Sequence, residues 1–233
     1  MIKNVVFIFT LLISFSSFAN QILLDNVIVN FDNNNRTKED IFVRNISDEN
    51  TYVKIVVTEI INAGKENQEK IEHRNPKESG IFVSPNKLIL KPKGDPNDHQ
   101  AIRIANINKE LNQDRIYRIQ VLPVINDFEK KEQGMGVKIL MGYEILTLIQ
   151  PNNPIMEYDY EIKGNKLIFT NNGNSNILLH NGKQCDLNNE NCKNVKTKRV
   201  YAGTSFTFDL PYSDNEVKFY LKFGEKNKLE TFK

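Results

Sequence analysis

Short apolar–polar alternations, each closed by a cluster of Asn, Asp, Gly or Pro, recur along this chain, and no strong helical period competes with them. A period of two puts alternate side chains on opposite faces of a pleated strand. That pattern restricts the chain to an all-β fold of short strands. Seven runs precede residue 152: QILLDNVIVNF (21–31), EDIFVRNI (39–46), TYVKIVVTEIIN (51–62), NKLILKP (86–92), HQAIRIAN (99–106), DRIYRIQVLPV (114–124) and GMGVKILMGYEILTLIQP (134–151).

Seven such strands suit one immunoglobulin-like β-sandwich. Two prolines around two asparagines in QPNNP (150–154) then end a strand and stiffen a turn. Beyond them come IMEYDYEIK, NKLIFTNN, SNILLHN, KRVYAG, SFTFDLP, EVKFYLKFG and LETFK, enough for a second, smaller sandwich. The expectation is two immunoglobulin-like domains, 20–151 and 152–233, with no obvious sequence repeat between them.

The first residues, MIKNVVFIFTLLISFSSFAN, join Lys3 to an apolar run ending at Phe15 and a small-x-small site at Ser17-Phe18-Ala19. This reads as a signal peptide, 1–19, removed after Ala19. The apolar run is shorter than the ~20 residues a membrane span requires. No cysteine follows the site, so no lipid anchor is expected. The product is then exported, with no membrane insertion. A net charge of +2, with basic and acidic residues intermingled, gives no footprint for nucleic acid. In an exported chain, Cys185 and Cys192, flanking the polar turn DLNNEN, are expected to close a disulfide. A metal site there would need further ligands, and His180 is the only histidine nearby.

The run 134–151 poses a question. Val137, Ile139, Met141, Tyr143 and Ile145 make one face apolar, and Leu140, Leu146 and Leu148 make the other apolar too. An antiparallel strand of a small soluble domain normally keeps one face polar. Something must cover the second face.

Several segments in order resemble the periplasmic pilus-assembly chaperones of the PapD-like, chaperone–usher type, and more closely the non-classical branches of that family. FVSPNKLILKPKGDPNDHQAIRI carries the spacing of Ser84, Pro85, Leu90, Pro92, Gly94, Arg103 and Ile104. RIYRIQVLPV, the strand ending at Pro151, LIFTNNGNSNILL and KRVYAGTSFTFDLP follow in the family's order. The resemblance implies two immunoglobulin-like domains arranged as a boomerang in the periplasm. It implies a pilus subunit and an outer-membrane usher as partners, and no cofactor or metal. It also implies donor-strand complementation, in which the last strand of the first domain lends apolar side chains to an incomplete subunit by β-augmentation. Counting back from Pro151 places the donor positions at Val137, Ile139 and Met141, with Tyr143 added by parity. Free, such a strand is an aggregation hazard, and self-capping into a homo-oligomer would relieve it.

The sequence departs from the family at the basic pair that anchors the subunit's C-terminal carboxylate. By spacing those positions fall on Leu146 and Ile28, neither of them basic. Arg36, Arg44, Arg103 and Arg118 are the alternative candidates, and surface or interdomain ion pairing is the other reading of each. An enzyme is not expected. His73, His99 and His180 lie on different elements, and no GxSxG, HExxH, P-loop or GxGxxG occurs. A secreted two-domain adhesin or carbohydrate-binding protein is the alternative. Its candidate aromatics, Tyr158, Tyr160, Tyr212 and Phe219, alternate with polar residues as core positions do. Asn45-Ile46-Ser47 matches a glycosylation sequon, a match common by chance.

Overall fold

The structure is a computed structural model, and it describes residues 22–32, 37–125, 139–213 and 215–233. The expected signal peptide, 1–19, lies outside them. The first series of elements is β1 (Ile22–Leu24), β2 (Ile28–Phe31), β3 (Lys38–Asn45), β4 (Thr51–Ile61), β5 (Glu69–Glu72), a single helical turn α1 (Pro76–Ser79), β6 (Ile81–Ser84), β7 (Lys87–Leu90), β8 (His99–Asn106), β9 (Arg115–Val124) and β10 (Tyr143–Ile149). They build one sheet ordered β1-β3-β8-β6 and another ordered β2-β10-β9-β4-β5, with β7 also on β4. Alternation along each strand sends one set of side chains between the sheets. Ile41, Val43, Ile102 and Ile104 from the first sheet meet Val29, Val53, Tyr117, Ile119, Val121 and Ile145 from the second, all buried. Each fully buried aliphatic side chain contributes about 1.5–3 kcal/mol.

The single first strand expected over 21–31 is two strands on different sheets. β1 runs antiparallel to β3, whereas β2 runs parallel to β10. The switch is made by two short polar side chains. The Asp25 carboxylate accepts the Phe42 backbone N–H, and Asn26 Oδ1 accepts that of Ile28, each at 3.0 Å. These bonds turn the backbone within the stretch read from sequence as one strand. The long strand expected over 134–151 is strand only at Tyr143–Ile149 among the described residues.

The second series is β11 (Tyr158–Lys163), β12 (Lys166–Asn171), β13 (Ile177–Cys185), β14 (Cys192–Val195), β15 (Lys198–Val200), β16 (Thr204–Asp209), β17 (Val217–Phe223) and β18 (Lys226–Phe232). A sheet β11-β12-β16 packs on a sheet β14-β13-β17-β18, with β15 on β13. Leu167, Phe169, Leu179, Phe208, Phe219 and Phe232 fill the space between them. The fold is two immunoglobulin-like β-sandwiches. Among the described residues no strand pairing joins one series to the other. The disulfide Cys185–Cys192 closes the β13–β14 hairpin.

Candidate functional site

The two apolar faces of β10 have two different covers. On the odd face, Ile145 and Ile149 are in the first core, and Tyr143 is half-buried against it. On the even face, Leu148 is buried with Ile60, Ala63 and Ile116, and Leu146 and Tyr201 pack against that group. Tyr201 follows β15, so the second sandwich covers the even face. The β4–β5 turn fits under the same ring. Gly64 has φ of +79°, and a Cβ there would stand 3.1 Å from Tyr201.

This cover stops short of the segment before β10. Ile139 is 65% exposed and Met141 53%. Gly142 lies flat on β9, where a Cβ would come within 2.8 Å of Leu122 and 2.9 Å of the Val121 carbonyl. The adjoining edge is open as well. β2 pairs with β10 only from Leu146 to Ile149, because the first strand changes sheets at Asp25–Asn26. On that side, among the described residues, no strand pairs with Tyr143–Ile145. Of the expected donor residues, Ile139 and Met141 therefore face solvent beside an open strand edge. Tyr143 does not share their exposure, because strand geometry begins there and directs its ring to the core. Val137 lies outside the described residues.

The candidate anchoring arginines are dispersed. Arg103 makes a bidentate pair with Asp40 at 2.7 and 2.6 Å on the exposed face of the β1-β3-β8-β6 sheet, and this pair holds the Asp40 carboxyl below its ordinary range. Arg44 lies 3.7 Å from Asp98. Arg36 lies outside the described residues. Arg118 is opposite Leu146 in the β9–β10 register and shares a face of β9 with Ile116, the face turned to the second sandwich. Its charge acts on Arg199 of the second sandwich, whose own burial lowers the guanidinium pKa most.

A polar cluster joins the sandwiches beside this face. The Asp114 carboxylate accepts the backbone N–H of Asn176 at 2.8 Å and its Nδ2 at 2.9 Å, and Arg199 donates to Asn176 Oδ1. Asn174 donates through Nδ2 to the Asn112 carbonyl at 2.9 Å. Burial raises the Asp114 pKa, against the opposing pull of the Asn176 bonds and Arg199. Spacing of residue types gave no sign of this cluster, since it joins positions 62 residues apart.

The histidines serve separate local pairs. His73 meets Glu59 and His99 meets Asp98, both at 2.8 Å, and His180 meets Asn227 at 3.0 Å. Among the described residues no three His, Cys, Asp or Glu side chains gather as metal ligands. The aromatics considered for adhesion differ in burial. Phe219 is fully buried, and Tyr158 stacks on Phe169 and is half-buried, as is Tyr212 under Lys193; Tyr160 meets Phe232 edge-on but is 44% exposed. No helix among the described residues is long and apolar enough to cross a membrane.

Comparison with known proteins agrees with this architecture. The chain is similar to the class 5 fimbriae chaperone CfaA, at 22% identity over 91% of this chain and 98% of that one, with a TM-score of 0.61. It is similar to the CupB2 chaperone of Pseudomonas aeruginosa, at 12% identity over 90% of this chain and 98% of that one, with a TM-score of 0.56. A chain in the complex of the Salmonella enterica SafA pilin with the SafB chaperone matches at 14% identity over 93% of this chain and 98% of its own length, with a TM-score of 0.60. These likenesses show a shared fold, that of the PapD-like pilus chaperones expected from the sequence. No curated protein sequence matches. A family model described as the CS5 fimbrial protein N-terminal domain matches residues 25–151, and the chain belongs to that family.

Proposed function

We propose that this chain is a periplasmic, non-enzymatic chaperone for fimbrial subunits, acting by donor-strand complementation and delivering its subunit to an outer-membrane usher. One observation carries the reading. Ile139 and Met141 are exposed beside a strand edge that β2 leaves uncovered, on a fold shared with fimbrial chaperones. An open edge offers main-chain hydrogen bonds, and apolar side chains at alternate positions offer anchors for an incomplete sandwich. The donor segment is residues 137–143, with Ile139 and Met141 as its principal anchors and Tyr143 at the margin of the core. The first domain ends at Pro151 and the second begins at Asn152.

The subunit's terminal carboxylate is assigned to Arg118. That side chain projects from β9 toward the second sandwich, beside the leucine that occupies the family's usual basic position. Of the aromatics considered for the adhesin alternative, Phe219 is buried, Tyr158 and Tyr212 are half-buried and Tyr160 alone is exposed, which offers that alternative a single ring rather than a cluster.

Hydrogen exchange tests the reading. The chain is compared alone and in complex with a fimbrial subunit encoded in the same gene cluster. Amides of 139–145 should become protected in the complex. Protection confined to other strands, with 139–145 still exchanging freely, would contradict it.

A further inference from the structure

The chain has four methionines, and two of them fall among the described residues in contrasting places. Met156 is half-buried against the second core. Met141 is 53% exposed. Its exposure follows from its neighbour. Gly142 takes a close approach to Leu122 and the Val121 carbonyl that a Cβ would block. The chain thus lies against β9 at Gly142 and turns the thioether before it into solvent. A thioether in an apolar anchoring position has a property that Leu or Ile lacks, because it can be made polar without changing the fold.

We propose that Met141 is an oxidation-sensitive modification site, at which conversion to the sulfoxide switches off binding of an apolar partner at this edge. The inference rests on the donor-strand reading and adds its regulation. The oxidant class is a peroxide. The sulfur lone pair attacks one peroxide oxygen, an S–O bond forms and the O–O bond breaks. The departing hydroxide takes the proton of the transferred hydroxyl and leaves as water. Sulfur loses two electrons and the peroxide gains them. The product is a polar sulfoxide where an apolar side chain was to be buried, and burial of such a group without a hydrogen-bond partner is unfavourable. Met156 is shielded by its packing and is an internal reference for accessibility. Met135 lies outside the described residues, so the test must separate it from Met141.

The purified chain is treated with hydrogen peroxide, and oxidation is mapped by peptide mass spectrometry. Binding to a fimbrial subunit encoded in the same gene cluster is measured before and after treatment. The same is done for Met141→Leu, each protein being compared with its own untreated form. Met141 should oxidise ahead of Met156, and wild-type complex should fall about tenfold or more. Peroxide should leave the complex formed by Met141→Leu at its untreated level. Full binding by protein carrying Met141 sulfoxide overturns the proposal, and so does an equal peroxide-induced loss in Met141→Leu. A separate variant, Met141→Asp, tests the underlying reading. If it binds as untreated wild type does, the donor assignment fails. If it loses binding while peroxide has no effect on wild type, the assignment stands and the oxidation switch fails.

Discussion

Asn45 and Asn171 have three hydrogen bonds of the same kind in common, one set in each sandwich. Each is the last residue of its strand, β3 or β12, and each is fully buried. Asn45 Nδ2 donates to the carbonyls of Glu49 and Lys91 at 2.7 and 2.8 Å, and its Oδ1 accepts the Ser47 N–H at 3.0 Å. Asn171 Nδ2 donates to the carbonyls of Ser175 and Val200 at 2.8 and 3.0 Å, and its Oδ1 accepts the Gly173 N–H at 3.0 Å. A clasp of four-residue reach thus closes the turn after the corresponding strand in both halves. The structural correspondence is hidden in sequence, where NISDE and NNGNS share one residue. It also gives Asn45 a buried role that leaves no amide free for a glycan.

The clasp predicts matched losses. Asn45→Ala and Asn171→Ala should each lower stability by about 2–4 kcal/mol, since buried carbonyl and N–H groups lose their partners. The Asp replacements should cost at least as much, because a carboxylate would face two carbonyl oxygens with no proton to donate. Chemical denaturation followed by circular dichroism measures both. Unchanged midpoints in the Ala variants would remove the clasp from the account.

Thr147 sits in the first core on β10, fully buried, and among the described residues its hydroxyl has no hydrogen-bond partner. Thr147→Val keeps the shape and removes the stranded polar atom. It should raise stability by about 1 kcal/mol, read as a higher denaturation midpoint. A lower midpoint would mean that the hydroxyl is satisfied in solution.

Arg115 donates to both oxygens of buried Glu59 at 2.7 Å and to Asn108 Oδ1 at 2.7 Å, closing one end of the first sandwich over α1. Arg115→Met should destabilise by up to about 3–5 kcal/mol, because the buried Glu59 carboxylate loses its guanidinium partner and keeps its bond to His73. Adding Glu59→Gln should recover part of that loss. A double-mutant cycle should give a coupling of at least about 1 kcal/mol, and additive effects would contradict the pairing.

Burial raises the folded-state pKa of Asp114, so the folded protein holds this proton more tightly than the unfolded chain does. The sign is therefore opposite to that of a paired carboxylate. Relative stability is greatest below the ordinary carboxylate pKa and falls as pH rises through the folded value. Asp114→Asn, still able to accept from Asn176, should lose that component of the pH dependence. Melting temperatures of both proteins from pH 3 to 7 test this; parallel curves would contradict it.

The all-β class and most strands were legible because alternation and turn residues are local signals. β8 spans His99–Asn106, matching the run read from sequence. β5 was not legible, because EKIE is exposed at every position and buries no face. The break between β1 and β2 was marked only by the Asp25-Asn26 pair, which was read through because apolar residues flank it on both sides. The second cover of β10 was legible only as a question. Leu146 and Leu148 are covered by Tyr201, more than fifty residues away, and no local pattern encodes such a meeting. Parity alone does not carry the difference in burial between Tyr143 and the residues grouped with it. It was extended through Gly142, where the chain is not yet a strand, and so placed on one face side chains with unlike exposure.

The central claim is that Ile139 and Met141 hold a fimbrial subunit. The direct measurement is co-purification from a periplasm, with the subunit of the same gene cluster co-expressed, comparing wild type with Ile139→Asp/Met141→Asp. Circular dichroism checks that both are folded. The account predicts a one-to-one complex with wild type, lost in a variant that keeps its fold, since both side chains are exposed. A folded variant that still carries the subunit at the wild-type level would contradict it.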